Sequence, residues 1–259
     1  NRFRWKLPVT QRVSVGDGFL FGGCGLAAAI SALEGTSGRQ CVWATSQYLS
    51  YARPGEVVDV DVTIAVEGNS ITQARAVCHV ADREILTVNA ALGDRDFAYR
   101  GQWESMPTGL PTPTMLAQRP TSPGQEGTIT AQLDQRMVKG VALDDLAVGD
   151  APSVESDGQT VMWAKVPDVI TGFDATTLAI LGDFVPMGVG QAMGRRGGGN
   201  SLDNTLRVCR LVPTEWVLMD IRVHGLERGF AHGQVHMFAE DGTLLATASQ
   251  SVIARTWDG

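Results

Sequence analysis

The sequence predicts an α+β protein built from two tandem copies of one unit, each an antiparallel sheet wrapped around a central helix. Three observations carry this. A glycine-led apolar stretch, Leu26 to Leu33, precedes four strand-like runs separated by turns. The second half slides onto the first without a gap, residues 43–92 covering 202–251 at a constant offset of 159, Pro54 onto Pro213. A further helix-compatible stretch, Ala175 to Met193, stands upstream of the second run, so one order of supersecondary elements recurs.

Gly22-Gly23-Cys24-Gly25 opens the first helix. Its Ala, Ile and Leu residues lie nearly all round, which predicts a helix wrapped by protein, and Glu34-Gly35-Thr36-Ser37-Gly38 supplies the stop. Cys41 to Ala52, Glu56 to Val66, Ser70 to Val80 and Glu84 to Leu92 are rich in Val, Thr and Ile with period-two character. Arg53-Pro54-Gly55, Glu67-Gly68-Asn69 and Ala81-Asp82-Arg83 punctuate them, which predicts an antiparallel meander. Pro107, Pro111, Pro113, Pro120 and Pro123 then forbid a regular element, so residues 101–130 read as a linker between halves spanning 1–100 and 131–259. Strand-like patches resume at Val154 to Val166. Pro186 and three glycines interrupt the later part of the second helical stretch, and Gly194-Arg195-Arg196-Gly197-Gly198-Gly199 reads as a flexible loop.

Across the repeat Glu56/Glu215, Val58/Val217, Asp61/Asp220, Asp82/Asp241 and Leu86/Leu245 are identical. At the same offset Asp203 faces Ala44, His224 faces Ala65 and Gln250 faces Ala91. A polar trio in one copy is three methyl groups in the other, which predicts a site used once.

Composition narrows the function. With 21 Lys and Arg against 28 Asp and Glu, a net charge of −7 argues against nucleic acid as partner. No apolar run nears the roughly 18 residues of a membrane span and the start lacks a signal-peptide core, so no membrane partner and a cytoplasmic location are expected. Cys24, Cys41, Cys78 and Cys209 have no Cys-x-x-Cys spacing, and His232 and His236 sit on a predicted strand without a third ligand nearby. Neither a metal nor a cofactor is expected. The absence of Gly-x-Ser-x-Gly argues against an α/β-hydrolase.

Phe19-Leu20-Phe21-Gly22-Gly23 before an Ala-rich helix, then Tyr51-Ala52-Arg53-Pro54-Gly55, resembles the amino-terminal half of the acyl-CoA thioesterase II family. Ser201-Leu202-Asp203, Glu215-Trp216-Val217-Leu218, Asp241-Gly242-Thr243-Leu244-Leu245-Ala246-Thr247 and Gln250 resemble its carboxy-terminal half. The resemblance implies a double hot-dog fold and hydrolysis of fatty acyl-CoA to fatty acid and CoA by direct attack of water. An Asp, a hydroxyl residue and a Gln hold that water in the family. Asp203 and Gln250 match two of these, while Val223-His224-Gly225 stands where Ser or Thr is usual.

The residues support this chemistry on their own terms. A carboxylate can take the proton of the attacking water and an amide can fix its direction, which assigns Asp203 as base and Gln250 as orienter, with His224 sharing the water or serving as alternative base. Backbone amides of Gly23 and Cys24 at a helix start can hold the oxyanion, with Gly22 allowing close approach. Arg195 and Arg196 can grip CoA phosphates. The alternatives are a hot-dog enoyl-thioester hydratase or dehydratase using Asp203 and His224, and a catalytically silent acyl-CoA-binding module. The two halves should pair as an internal dimer, with further association into a homo-oligomer.

Overall fold

The computed structural model describes residues 1–16, 18–142, 145–148, 156–167 and 173–257. In chain order the first half contains β1 (Arg4–Pro8), α1 (Gly22–Ser37), β2 (Cys41–Tyr48), β3 (Val57–Glu67), β4 (Ile71–Val80) and β5 (Arg83–Gly93). A stretch without strands, residues 94–128, leads to a single turn, α2 (Ile129–Gln132). The second half contains β6 (Asp134–Lys139), β7 (Gln159–Lys165), α3 (Ala175–Leu181), α4 (Val185–Met193), β8 (Gly197–Ser201), β9 (Asp203–Val208), β10 (Val217–Glu227), β11 (Phe230–Ala239) and β12 (Leu244–Thr256). The strands form one sheet in the order β1-β3-β4-β5-β2-β9-β12-β11-β10-β7-β6, with β8 added on β12. No helix is long and apolar enough to cross a membrane among the described residues. This is the double hot-dog expected from the sequence.

The helix α1 begins at Gly22, where the glycine run predicts its opening. Phe21 is extended at the N-cap with no side-chain cap, and the chain turns helical at Gly22, stopping at Gly38 in the left-handed region (φ +69°). Leu26, Ile30 and Leu33 are fully buried, each contributing about 1.5–3 kcal/mol by leaving water. The second helical stretch is broken in two: Asp183 (φ −94°, ψ 27°) lies in a kink between α3 and α4, and Pro186 stands in the first turn of α4, where a missing N–H costs nothing.

Of the glycine segment predicted as a loop, Gly194 to Arg196 do form a turn, but Gly197 to Gly199 instead open β8, paired with β12. Gly197 and Gly199 lie against the backbone carbonyls of Arg255 and Ile253, where a Cβ would collide. The predicted strand from Val154 begins outside the described residues, and β7 starts at Gln159.

The halves meet at β2 and β9, antiparallel, with Thr45 opposite Thr205 and their hydroxyls 2.7 Å apart. A twofold axis normal to an antiparallel ladder passes between directly opposed residues, so repeat equivalents face each other there. Thr45 and Thr205 differ by 160, not 159. The offset of 159 does hold for β3–β4 against β10–β11, whose bulges at Ala65 and His224 coincide. It becomes 160 again between β5 and β12, where Cys78 faces Leu86 and Met237 faces Ala246. A longer turn before β12, carrying Gly242 at φ +85°, absorbs the difference. The gapless alignment is therefore corrected: Asp203 corresponds to Trp43, Asn204 to Ala44 and Gln250 to Ala90.

The strandless stretch crosses the outer face of the second half. Met106, Leu110 and Leu116 pack on Val161, Trp163, Trp216, Leu218 and Phe238, and the Trp163 indole donates to the Pro111 carbonyl at 3.0 Å.

Candidate functional site

Where the two halves join, a cavity of about 540 Å3 opens beside the start of α1. Phe21, Gly22 and Tyr48 line it from the first half, Asp183, Phe184 and Ser201 from the second, and Arg119 and Gln125 from the connecting stretch. Its one carboxylate among the described residues is Asp183, which is 5% exposed.

The kink between α3 and α4 aims Asp183 at the amino terminus of α1. The Gly23 amide donates to its Oδ2 at 2.6 Å. The Gln250 side-chain amide donates to Oδ1 and also, at 2.9 Å, to the Ser201 hydroxyl, while the Asn204 amide reaches Oδ1 at 3.4 Å. Burial pushes the Asp183 carboxyl up to about 7, against the opposing pull of Gly23, Gln250, Asn204 and Ser201, which favour the ionised form. The result is a carboxylate poised to exchange a proton near neutrality.

Two acceptors complete the arrangement. Oε1 of Gln250 and Oδ1 of Asn204 are shielded from solvent and meet no donor in the protein. A buried acceptor left unmet is costly, and a small donor such as water satisfies it. Corrected equivalence keeps the asymmetry: Asn204 and Gln250 occupy places held by Ala44 and Ala90 in the first half.

Gln250 is brought to Asp183; the other expected residues are distributed around it. Asp203 accepts from the Ser251 amide at 2.7 Å and does not line the cavity. His224 is exposed at the β10 bulge and lines a separate depression with Gly158, Val189 and Met193. Gly23 and Cys24 stand in the first turn of α1, but the Gly23 amide is engaged by Asp183 and the Cys24 amide donates to the Phe21 carbonyl at 3.0 Å. Gly22 lines the cavity, and its amide meets no acceptor among the described residues. Arg195 and Arg196 form the turn between α4 and β8, and the cavity wall begins beside them at Gly197. Burial lifts the Cys24 thiol to about 12, which leaves it inert as a nucleophile.

Residues 111–254 match the family model of the acyl-CoA thioesterase C-terminal domain. No curated protein sequence matches the chain. Among solved structures, a candidate thioesterase of Novosphingobium aromaticivorans is similar at 30% identity and a TM-score of 0.85, over 98% of this chain and 96% of that one. A hot-dog protein of unknown function from Alicyclobacillus acidocaldarius is similar at 19% identity and a TM-score of 0.82, over 98% and 94%. An acyl-CoA thioesterase II of Mycobacterium marinum is similar at 20% identity and a TM-score of 0.74, over 100% and 95%.

Proposed function

The chain belongs to the acyl-CoA thioesterase family and is a thioester hydrolase, and from that premise we propose that Asp183 is the base that delivers water to a fatty acyl-CoA. The observation that carries the reading is a buried carboxylate, lifted toward neutrality, in the wall of the cavity at a helix start.

Ionised Asp183 takes one proton from a water whose other hydrogen is held by an unmet amide acceptor, Gln250 Oε1 or Asn204 Oδ1. The water oxygen bonds to the thioester carbon and the carbonyl oxygen becomes an oxyanion. The Gly22 amide, at the positive end of α1, is placed to receive it. Collapse breaks the carbon–sulfur bond, and the proton held by Asp183 passes to the CoA thiolate, so acid and thiol leave and the carboxylate is restored. Ser201 holds Gln250 in its working orientation.

A hydratase would need Asp and His side by side, and the described lining of the cavity contains no histidine. On the same reading residues 1–100 and 131–259 are the two hot-dog units and 101–130 joins them. The test is thiol release from a chain-length series of acyl-CoA substrates. Asp183→Asn is expected to lose about 10²–10⁴-fold in kcat while staying folded; retention of the wild-type rate removes Asp183 from the mechanism.

A further inference from the structure

Tyr48 ends β2 beside this cavity, its backbone amide bonded to the Leu202 carbonyl of the other half at 3.0 Å. Its hydroxyl is shielded from solvent and makes no well-formed hydrogen bond in the protein, with the Ser46 and Asn204 side chains as its polar neighbours. A Cβ built on Gly22 would stand 2.8 Å from Asp183 Oδ2 and 3.0 Å from the Tyr48 hydroxyl, so carboxylate, phenol and the start of α1 converge on one point. Burial, then the charge of Asp183, pushes the phenol well above its ordinary pKa, against the opposing pull of the Ser46 and Asn204 side chains. It is a neutral donor throughout the pH range in which Asp183 titrates.

A shielded hydroxyl without a well-formed hydrogen bond costs the folded state. The repeat adds an asymmetry. At the offset of 160 set by Thr45 and Thr205, the counterpart of Tyr48 is Val208, so the phenol belongs to the first half alone, as the carboxylate belongs to the second.

We propose that Tyr48 is a catalytic residue, its O–H donating to the thioester carbonyl oxygen beside the Gly22 amide as negative charge develops there. The inference rests on the reading of Asp183 as base. It makes the site a composite: the first half supplies the oxyanion donors, the second the base and the amides that hold the water. No covalent bond forms to Tyr48 and its proton stays on the phenol oxygen.

The experiment compares Tyr48→Phe with Asp183→Asn in the full chain. Losing one oxyanion donor lowers kcat by about 10²–10³-fold, with KM within about twofold and Tm unchanged or raised, because the group removed made no well-formed hydrogen bond. A CoA thioether carrying a trifluoromethyl ketone, whose hydrate presents the oxyanion, is expected to bind Tyr48→Phe about 10²-fold more weakly, while plain CoA binds both proteins alike. Wild-type kcat in Tyr48→Phe, or a rise in KM alone, overturns the proposal. Loss of activity in Asp183→Asn beside full activity in Tyr48→Phe sinks Tyr48 and spares the base, whereas full activity in Asp183→Asn sinks the reading beneath both. If Tyr48→Phe folds poorly, fluorotyrosine replacement of the chain's tyrosines supplies the check: kcat shifting with phenol acidity supports the role, and an unchanged kcat overturns it.

Discussion

The Gly23 amide and the Asp183 carboxylate, 2.6 Å apart, join positions separated by the same 160 residues that relate Thr45 to Thr205. The base of one half is thus held by the helix start of the other, and the helix dipole favours its ionised form. The contact demands glycine: a Cβ at position 23 would stand 2.9 Å from the Ala179 carbonyl, the Ile180 Cα and the Asp183 Cβ. Backbone cannot yield as a flexible side chain can. Gly23→Ala is expected to cost about 1–3 kcal/mol in a urea titration and to lower kcat by displacing Asp183; unchanged stability would show that the helices can part without penalty.

The acidity of Asp183 sets the pH profile. A base must be ionised, so kcat/KM should rise with pH through about 7 and level off above it. Stability runs the other way. The folded pKa lies above the unfolded one, so between roughly 4 and about 7 the folded chain holds a proton that the unfolded chain has lost. The stability this group contributes is full below the unfolded pKa and falls as pH rises through the folded one, by at most about 1.4 kcal/mol per pH unit. Denaturant midpoints of wild type and Asp183→Asn across pH 4.5–8 should diverge in this sense, the variant gaining as pH rises. A constant difference would place the Asp183 pKa outside that window.

Asp203 and His224 offer the sharpest contrast between what the sequence suggests and what the cavity contains. Asp203→Asn keeps an oxygen to accept from the Ser251 amide, and His224→Ala changes an exposed bulge residue. Both variants are expected to retain kcat within about threefold, surface and isosteric changes being worth under roughly 0.5 kcal/mol. A hundredfold loss in either would return that residue to the mechanism and displace Asp183 from sole charge of the water.

The order of helix and meander was legible because it rests on long periodic segments. The short strands β1, β6 and β8 were not: five or six residues carry too little alternation, and Gly197-Gly198-Gly199 reads as a loop until its partner β12 is known. The single-site asymmetry was legible in kind but one residue out of register. A one-residue difference in the turn before β12 moved the pairing of Gln250 from Ala90 to Ala91 while leaving the turns in coincidence. Asp183 had a signal of its own: it is the lone charged residue, between Gly182 and Phe184, in the mostly apolar stretch from Ala175 to Met193. Burying an isolated carboxylate is costly enough that such a residue reads as functional. The helical interpretation of the segment obscured it, because only the kink turns that side chain toward the other half.

The outer face of the second half makes a separate demand on the connecting stretch. Trp163, 5% exposed, packs with Leu218 and Phe238 under Met106, Leu110 and Leu116, and its indole N–H is met by the Pro111 carbonyl. The same connection continues through Arg119 and Gln125 to the cavity wall, where the Gly16 amide donates to Gln125 Oε1 at 3.2 Å. Trp163→Ala removes a large buried ring and leaves that carbonyl unmet, a loss of about 3–5 kcal/mol. Because the connection is anchored at this face before it reaches the cavity, the variant should also bind acyl-CoA more weakly, seen as a raised KM at temperatures where it remains folded. Trp163→Phe keeps most of the ring volume and loses the indole N–H, so it should recover most of the stability and nearly all of the KM. Equal KM values in all three proteins would show that the wall of the cavity is held independently of the outer face.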